Sequence, residues 1–454
     1  MTEQGIGILI LIGGFMGLML IRVPVAFALG ISSVVTAMHL DLPLLLIGQR
    51  MVNGLYSFTF LAVPFFILVG NIMTEGGISD RLVKFADVLV GRFRGGLAQG
   101  NVVASTFFGG ISGSSVADVA SIGSFLIPAM KRRGYPAEYS VAVTVTSSVQ
   151  GVLIPPSQNM IYYALAAGGL PISKLFIAGY VPGLILSGTL MFLCWLMAVR
   201  HNHPTGNKYA FREGLQVLAK ASIGLFTIVI IIGGIVGGIF TATESAAVAV
   251  VYALLVTIFV YRSMDRTKVR RIMSGTLETL AMVVAIIMTS SAFGYLLSYL
   301  QVPSALADYI LSLSSSPIAI MLMINVLLLV LGMLMDMGVL ILILTPILLP
   351  IAVKIGVDPI HFCIIMMLNL GIGVCTPPVG ISLMVGCGIG GVSIEKTIKS
   401  LLPFYLAMVV VLALVTFFPV LSLGYAYSGL FCHPFQQHSA TDSGLFCRLL
   451  MRRC

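Results

Sequence analysis

Charged side chains are scarce in this sequence. Asp, Glu, Lys and Arg together make up 9% of the 454 residues, whereas 58% are hydrophobic. Soluble globular domains carry charge on about a quarter of their residues, so the composition excludes a soluble protein and predicts an integral membrane protein. Many uncharged runs exceed the ~20 residues that a helix needs to cross the hydrocarbon core. With the shorter apolar runs, they predict roughly a dozen membrane elements.

Metal-ligand and disulfide patterns are also missing. The seven cysteines and six histidines show no ligand spacing, so we expect no cofactor. Four cysteines lie within apolar runs and are predicted to act as small hydrophobic residues: Cys194, Cys363, Cys375 and Cys387. We predict no cleaved signal peptide, because the first apolar run ends at Arg22 without a small-residue cleavage site and follows no basic residue.

The net charge of +9 is concentrated in short segments between the apolar runs. These segments are Arg92 to Arg94, Lys131 to Arg133, Arg200 to Arg212 and Arg262 to Arg271. Basic clusters in such places are typical of cytoplasmic loops, so we predict a lipid bilayer, and no nucleic acid, as the partner. If all four are cytoplasmic, the run 95–130 must enter and leave on one face. We therefore predict a re-entrant hairpin there.

An internal repeat runs through the chain. Pro155-Pro156 recurs as Pro377-Pro378, and the difference in numbering, 377 − 155, defines a repeat offset that also relates five further identical pairs. These are Pro128 and Pro350, Gly134 and Gly356, Gly169 and Gly391, Ile172 and Ile394, and Lys174 and Lys396. The counterpart of the first hairpin is 317–353. A weak repeat with matching Pro and Gly breaks is typical of a secondary transporter. The predicted fold is an all-α polytopic membrane protein of inverted repeats with two re-entrant helical hairpins.

The first predicted hairpin contains a run of small and polar residues. Its candidate site residues are Ser112, Gly113, Ser114, Ser115 and Asp118. Such a segment cannot face lipid as a continuous helix at low cost, so it must be buried in protein or line a wet cavity. Two half-helices that meet there would present N–H groups to an anion, and carbonyl and hydroxyl oxygens to a cation. Asp118 is a functional candidate because intramembrane carboxylates are costly.

The second hairpin places Asp336 and Gly338 in an apolar run. Asp336 lies at the level of Ser114 in the repeat, since the two are separated by the repeat offset. Each hairpin therefore carries a polar oxygen at an equivalent position, which favours a pseudo-symmetric ion site.

Each Pro-Pro pair interrupts the run that follows a hairpin. Two successive prolines remove backbone donors and force an unwound segment. The carbonyls that the prolines free one turn earlier, with the side chains of Ser157, Gln158, Asn159 and Thr376, are hard oxygen ligands suited to sodium. The candidate site residues of these two segments are Pro155, Pro156, Ser157, Thr376, Pro377 and Pro378. The predicted sodium ligands are Ser112, Ser114, Asp336 and Thr376.

A different class of protein is also compatible with one motif. Gly110-Ile-Ser-Gly113 fits the Gly-x-Ser-Gly pattern of an intramembrane serine hydrolase, which also needs a histidine in a neighbouring span. Only His361 is near a suitable span.

Five motifs together resemble the large membrane subunit of the tripartite ATP-independent periplasmic (TRAP) transporters, the DctM-like family. They are Ser-Gly-Ser-Ser-Val-Ala-Asp at 112–118, Ile-Pro-Pro-Ser at 154–157, Gly-Ile-Phe-Thr-Ala-Thr-Glu-Ser-Ala-Ala-Val-Ala-Val at 238–250, Met-Asp at 335–336 and Thr-Pro-Pro-Val-Gly at 376–380. The resemblance extends from about residue 5 to 423. It places Ser112, Ser114, Asp118 and Asp336 near the sodium and substrate sites.

This resemblance implies a sodium-coupled, elevator-type importer of an organic acid such as a C4-dicarboxylate, sialic acid or a sugar acid. It implies the cytoplasmic (inner) membrane of a prokaryote, a separate small four-helix membrane subunit and an extracytoplasmic substrate-binding protein. A stand-alone ion-coupled carboxylate transporter, which needs no binding protein, is the alternative. The residues themselves leave proton coupling open as well, since a buried Asp118 or Asp336 could equally serve a proton relay.

The sequence also predicts a division of the chain. We expect scaffold helices of repeat 1 at 1–94 and of repeat 2, after a cytoplasmic linker, within 200–316. Hairpins with transport-domain helices are expected at 95–199 and 317–423. The remaining residues, 424–454, depart from the family pattern and form an atypical tail.

Overall fold

The computed structural model describes residues 3–205, 211–314 and 316–427. All elements named within these ranges are helical. The predicted tail from residue 428 onward lies outside the described residues, and residues 424–427 end the last helix.

Twelve α-helices form the first part of the chain. They are α1 (Glu3–Ile8), α2 (Gly14–Leu20), α3 (Val25–His39), α4 (Leu44–Asn53), α5 (Ala62–Glu75), α6 (Ile78–Val90), α7 (Gly96–Ser112), α8 (Ser115–Arg132), α9 (Ala137–Ser147), α10 (Gln150–Leu153), α11 (Gln158–Ala166) and α12 (Ile172–Arg200). A π-helical turn at Leu9–Gly13 joins α1 to α2, and a 3₁₀ turn at Phe58–Leu61 precedes α5.

Ten α-helices form the second part. They are α13 (Phe211–Val236), α14 (Ala242–Leu255), α15 (Arg266–Tyr299), α16 (Val302–Leu313), α17 (Pro317–Gly332), α18 (Met337–Lys354), α19 (Pro359–Gly373), α20 (Ile381–Gly390), α21 (Ile394–Phe417) and α22 (Val420–Ala426). A π-helical segment at Val256–Val260 extends α14.

Seven helices among the described residues are long and apolar enough to cross a membrane, or eight if the bent pair α5 and α6 is one span. Four shorter apolar helices accompany them: α3, α17, α19 and α20. Backbone groups in hydrocarbon must be paired within the segment, which is why apolar runs of this length fold as helices. The predicted polytopic all-α class is confirmed.

The element bounds repeat with the offset found in the sequence. Helix α8 begins at Ser115 and ends at Arg132, and α18 begins and ends at the positions that the offset predicts, Met337 and Lys354. The starts of α9 and α19, and of α12 and α21, obey the same offset. The two copies differ where α4 and α5 are separate helices, because their counterparts are fused within the 34-residue α15.

Helices α7 and α8 form the first predicted hairpin. The amide of Asn101, near the start of α7, lies 3.8 Å from the sulfur of Met130, near the end of α8. The two helices therefore run antiparallel from a break at Gly113, as predicted. In the second copy α17 and α18 are separated by a break at 333–336.

Hydropathy alone missed helix α6. It follows α5 after a bend of 69° and has a buried apolar face that includes Leu82 and Phe85. Asp80 and Lys84 lie on the opposite side, and this mixed pattern is typical of an amphipathic helix. The charged residues of 75–94, which separate two apolar runs in the sequence, thus lie partly on a helix that packs against α7 and α13.

One close glycine contact holds each hairpin against the helix before its Pro-Pro pair. A Cβ on Gly109 would lie 2.3 Å from the Cα of Gly151, and a Cβ on Gly373 would lie 2.5 Å from the carbonyl carbon of Gly332. Gly151 and Gly373 are related by the repeat offset, whereas Gly332 corresponds to Gly110, so the two copies make a similar contact that is shifted by one residue on the hairpin. Only a residue without a side chain permits backbones to approach so closely.

We expect Gly373→Ala to lower the melting temperature of the purified protein, with a loss of about 1–3 kcal/mol from overpacking. The control is Gly188→Ala in α12, where an added Cβ would meet nothing within 4 Å. There the better helix propensity of alanine should add about 0.5–1 kcal/mol. Equal melting temperatures for the two variants would contradict this packing.

Candidate functional site

The tip of the first hairpin is a two-residue break. Gly113 has a left-handed backbone with φ of 62°, and Ser114 caps α8 by accepting a hydrogen bond from the N–H of Ala117 at 3.4 Å. A side chain at Gly113 would be strained in this conformation. The hydroxyl of Ser112 is 3.4 Å from the carbonyl oxygen of Ser114. The tip thus places two hydroxyls and the free N–H groups of the α8 N-terminus together.

The first Pro-Pro loop lies directly against this tip. The amide of Asn159 donates to the carbonyl of Gly113 at 3.3 Å, and a Cβ on Gly113 would lie 2.6 Å from the backbone nitrogen of Gln158. Ser157 is fully buried, and its hydroxyl has no hydrogen-bond partner among the described residues. A buried polar atom without a partner is costly, so this hydroxyl keeps Ser157 a candidate ligand residue.

The second hairpin tip repeats the arrangement with a carboxylate. Asp336 caps α18, and its Oδ1 accepts from the N–H of Gly338 at 2.9 Å. Ser114 is therefore the N-cap residue of α8, and Asp336 is the N-cap residue of α18, the corresponding helix of the second hairpin. This confirms their predicted equivalence. The carbonyl of Met333 accepts from the N–H groups of Val379 at 3.2 Å and Gly380 at 3.4 Å. The second Pro-Pro loop is thus bonded to its own hairpin tip.

Both Pro-Pro pairs sit in unwound segments, as predicted. The first separates α10 from α11 and the second separates α19 from α20, and in both the peptide bond between the prolines is cis. The hydroxyl of Thr376 donates to the carbonyl of Ile372 at 2.7 Å. A hydroxyl that donates once still has two lone pairs, so the oxygen of Thr376 can also ligate a cation.

The two copies interlock across the site. Helix α11, after the first Pro-Pro loop, packs on α18 of the second hairpin, and α20 packs on α8 of the first. The ring of Tyr162 on α11 lies against Gly338, whose added Cβ would be 3.4 Å from ring carbon Cε2. Sequence reasoning missed Tyr162, because nothing in a single apolar run tells which side chain reaches the other repeat.

Asp118 lies one turn into α8 and inside the hairpin. Its side chain is fully buried, and the hydroxyl of Ser105 lies beside the carboxylate. Ser105 in turn contacts the hydroxyl of Ser147 at 3.1 Å, and Asn101 donates to Thr144 at 2.6 Å. These four residues were missed from the sequence. They form a buried polar track beneath the tip.

One predicted tip residue points elsewhere. The hydroxyl of Ser115 is bonded to Ser148 and Ser382 in neighbouring helices.

The geometry does not support the hydrolase. His361 is bonded to Ser422 through Nδ1 at 2.6 Å and faces the carbonyl of Thr416 at 3.4 Å, on α22 and α21. Among the described contacts, none joins His361 to Ser112, whose hydroxyl faces the Ser114 backbone. A serine nucleophile needs a base within hydrogen-bond reach, so the serine motif is part of a hairpin tip.

Two broken helix pairs, related by an internal repeat and meeting two unwound helices of an apolar protein, define a secondary membrane transporter. The chain belongs to the DctM component family of the tripartite ATP-independent periplasmic transporters, whose family model matches residues 12–421. This finding confirms the family resemblance. It also confirms the prediction that the chain is a transport protein and not an enzyme.

Three relatives are similar to nearly the whole chain. It is 44% identical over 92% of its length to the uncharacterized protein YgiK of Salmonella typhimurium, covering 96% of that protein. It is 37% identical over 91% of its length to a C4-dicarboxylate TRAP transporter large permease protein of Rhodobacter capsulatus, covering 98%. It is also 37% identical over 90% to a sialic acid TRAP transporter large permease protein of Vibrio cholerae, covering 96%.

A solved structure shares the fold. The crystal structure of the Alcanivorax borkumensis YdaH transporter, described as having an unusual topology, superposes with a TM-score of 0.61, 83% coverage of this chain and 88% of that chain. The two chains are 14% identical, so the likeness concerns the fold alone.

The cap at the second tip gives a prediction. Asp336→Ala removes the acceptor of the Gly338 N–H and should destabilise the protein by about 0.5–2 kcal/mol, whereas Asp336→Asn keeps a capping oxygen and should be close to wild type. Melting temperatures in potassium buffer measure both. If the two substitutions were equally harmful, Asp336 would not stabilise the tip as a cap.

Proposed function

We propose that this chain is the large membrane subunit of a sodium-coupled, binding-protein-dependent transporter that imports an organic acid across the inner membrane of a prokaryotic cell. One observation carries the proposal. Each hairpin tip lies against an unwound Pro-Pro loop, and the two tips are capped at equivalent positions by Ser114 and Asp336. Discontinuous helices of this kind bind substrate and coupling ions near the middle of the membrane.

Sodium is the proposed coupling ion. It prefers hard oxygen ligands, and the two tips offer hydroxyl and carbonyl oxygens at the first and a carboxylate at the second. The proposed ligands are Ser112, Ser114, Asp336 and Thr376. Asp336 accepts the Gly338 N–H through Oδ1, and its carboxylate supplies the negative charge that favours a cation.

The organic acid is proposed to bind nearer the first tip. The N-terminus of α8 carries a partial positive charge and free N–H groups, which favour an anion, and its cap Ser114 is neutral. The acidic residue of its first turn, Asp118, is fully buried inside the hairpin. The N-terminus of α18 is already complemented by the carboxylate of Asp336. The difference in charge between the two caps would thus favour the substrate carboxylate near the first tip and the cation near the second.

The substrate class is proposed from relatives. Proteins of equal identity to this chain are named for a C4-dicarboxylate and for sialic acid, so overall identity does not choose between these acids. We propose that selection rests with an extracytoplasmic substrate-binding protein, and that a small four-helix membrane subunit completes the transporter. The hairpins and Pro-Pro loops would move together against the scaffold as an elevator.

Sodium binding is tested by thermal unfolding. A ligand that binds only the folded state at 100 times its dissociation constant adds about 2.7 kcal/mol. We expect sodium, exchanged for potassium at constant ionic strength, to raise the melting temperature of the wild type and to lose most of this effect in Asp336→Asn. The control is Asp308→Asn, whose carboxylate is exposed and faces Lys354 at 3.5 Å. A wild type that responds equally to both ions would contradict the proposed sodium site.

Dependence on partners is tested by reconstitution. We expect sodium-driven uptake of a radiolabelled C4-dicarboxylate or sialic acid only in vesicles that hold this chain with the small membrane subunit, in the presence of the binding protein. Uptake by this chain alone would instead support the stand-alone carrier.

A further inference from the structure

Three buried serines from different segments of the chain meet beside the first hairpin tip. The hydroxyl of Ser115, the first residue of α8, lies 2.6 Å from that of Ser148 and 2.9 Å from that of Ser382. Their exposed fractions are 4%, 0% and 0%. We call these three side chains the hydroxyl junction. Ser148 follows α9 in the first repeat, whereas Ser382 lies on α20 in the second, so the junction crosses between the repeats.

Only one assignment of donors and acceptors fits the hydroxyl junction. Ser148 donates its only proton to the carbonyl of Val145 at 2.7 Å, so Ser115 must donate to Ser148. Because Ser115 has no second proton, Ser382 must then donate to Ser115. The thiol of Cys375 also donates to the carbonyl of Val145, at 3.2 Å. Two residues that flank the second Pro-Pro loop are thus linked to the first repeat.

The second Pro-Pro loop is consequently tied to both hairpins. The N–H of Ser382 closes the loop by donating to the carbonyl of Val374 at 3.1 Å, and Val379 and Gly380 donate to the carbonyl of Met333 in the second tip. The hydroxyl of Ser382 meets Ser115, one residue beyond the cap of the first tip. A displacement of this loop therefore acts on both tips through hydrogen bonds.

The equivalent contact in the other half is apolar. Applying the repeat offset replaces Ser115, Ser148 and Ser382 by Met337, Leu370 and Met160. All three are buried and carry no hydroxyl. The first Pro-Pro loop therefore has no matching hydroxyl link to the second tip, where Tyr162 packs against Gly338 instead.

We propose that Ser382 is a positioning residue for the first hairpin tip, and that the hydroxyl junction couples the ion ligands of this tip, Ser112 and Ser114, to the Pro-Pro loop of the second repeat. The coupling is one-sided, because only this half of the repeat carries the hydroxyls. It rests on the proposed function for the identity of the ion, and on the described contacts for the link itself. Ser382 need not touch the ion. It acts through Ser115 on the α8 N-terminus.

The link is tested first without sodium. In potassium buffer, melting temperatures are measured for Ser115→Ala, Ser382→Ala and the double variant. We expect the double variant to lose clearly less than the sum of the two single losses, because both remove the same hydrogen bond. The matched control is Ser140→Ala, a fully buried serine whose hydroxyl, among the described residues, donates to the carbonyl of Pro136 at the start of its own helix. Its loss should add to that of Ser115→Ala. Additive losses for Ser115 and Ser382 would overturn the junction.

The coupling is tested by the half-saturating sodium concentration of the thermal shift. Loss of one hydrogen bond in the ion-bound state corresponds to a rise of roughly two- to tenfold, which we expect in Ser382→Ala. Ser382→Thr keeps the hydroxyl and should restore the wild-type value, and Ser140→Ala should not change it. If the wild type responds to sodium and Ser382→Ala has the same half-saturating sodium concentration, the proposed coupling is overturned, but the hydrogen-bond link is not. A wild type without any sodium response would contradict the proposed function and the assignment of the coupled ion, while the potassium cycle would still decide the link.

Discussion

The rest of the structure depends on one constraint, the pairing of every backbone N–H and C=O inside an apolar surrounding. Continuous helices satisfy it along most of the chain, so the few places where helices break must be buried in protein or line a wet cavity. Here the breaks occur in two pairs, and each hairpin tip is hydrogen-bonded to residues at an unwound Pro-Pro loop. Gly109 against Gly151 and Gly332 against Gly373 permit this approach. The same unpaired backbone groups that are costly in lipid are those that can bind ions and a carboxylate.

The two halves share a backbone plan but differ in side-chain chemistry. Ser114 and Asp336 cap equivalent helices, one neutral and one charged. Beneath the first tip lies the fully buried carboxylate of Asp118, whose position in the second repeat is taken by Leu340. The hydroxyl junction has the same one-sided character. An internal repeat that keeps its glycine and proline positions while varying the polar ones would let its two tips attract groups of different charge.

Much of this arrangement was predictable from the sequence, because it depends on residues that act locally. The Pro-Pro breaks, the first hairpin and the equivalence of Ser114 with Asp336 follow from backbone chemistry and the repeat offset. Helix α6 was not predicted, since hydropathy windows overlook an amphipathic helix with charges on one face. Tyr162 and Ser382 were not predicted either. Their roles depend on which side of α11 and α20 faces the opposite hairpin, and only the packing between repeats decides that. The predicted scaffold and transport segments stay a prediction.

The most direct test of the central claim, that the hairpin tips and Pro-Pro loops form the ion site, is a pair of electron cryo-microscopy maps of the protein, one in sodium and one in potassium. We expect a density feature that is present in sodium and absent in potassium, bounded by a hairpin tip and the Pro-Pro loop that covers it, with an oxygen of Asp336 or Ser112 among its neighbours. Sodium-specific density located away from both tips, or identical maps at both tips, would contradict the claim.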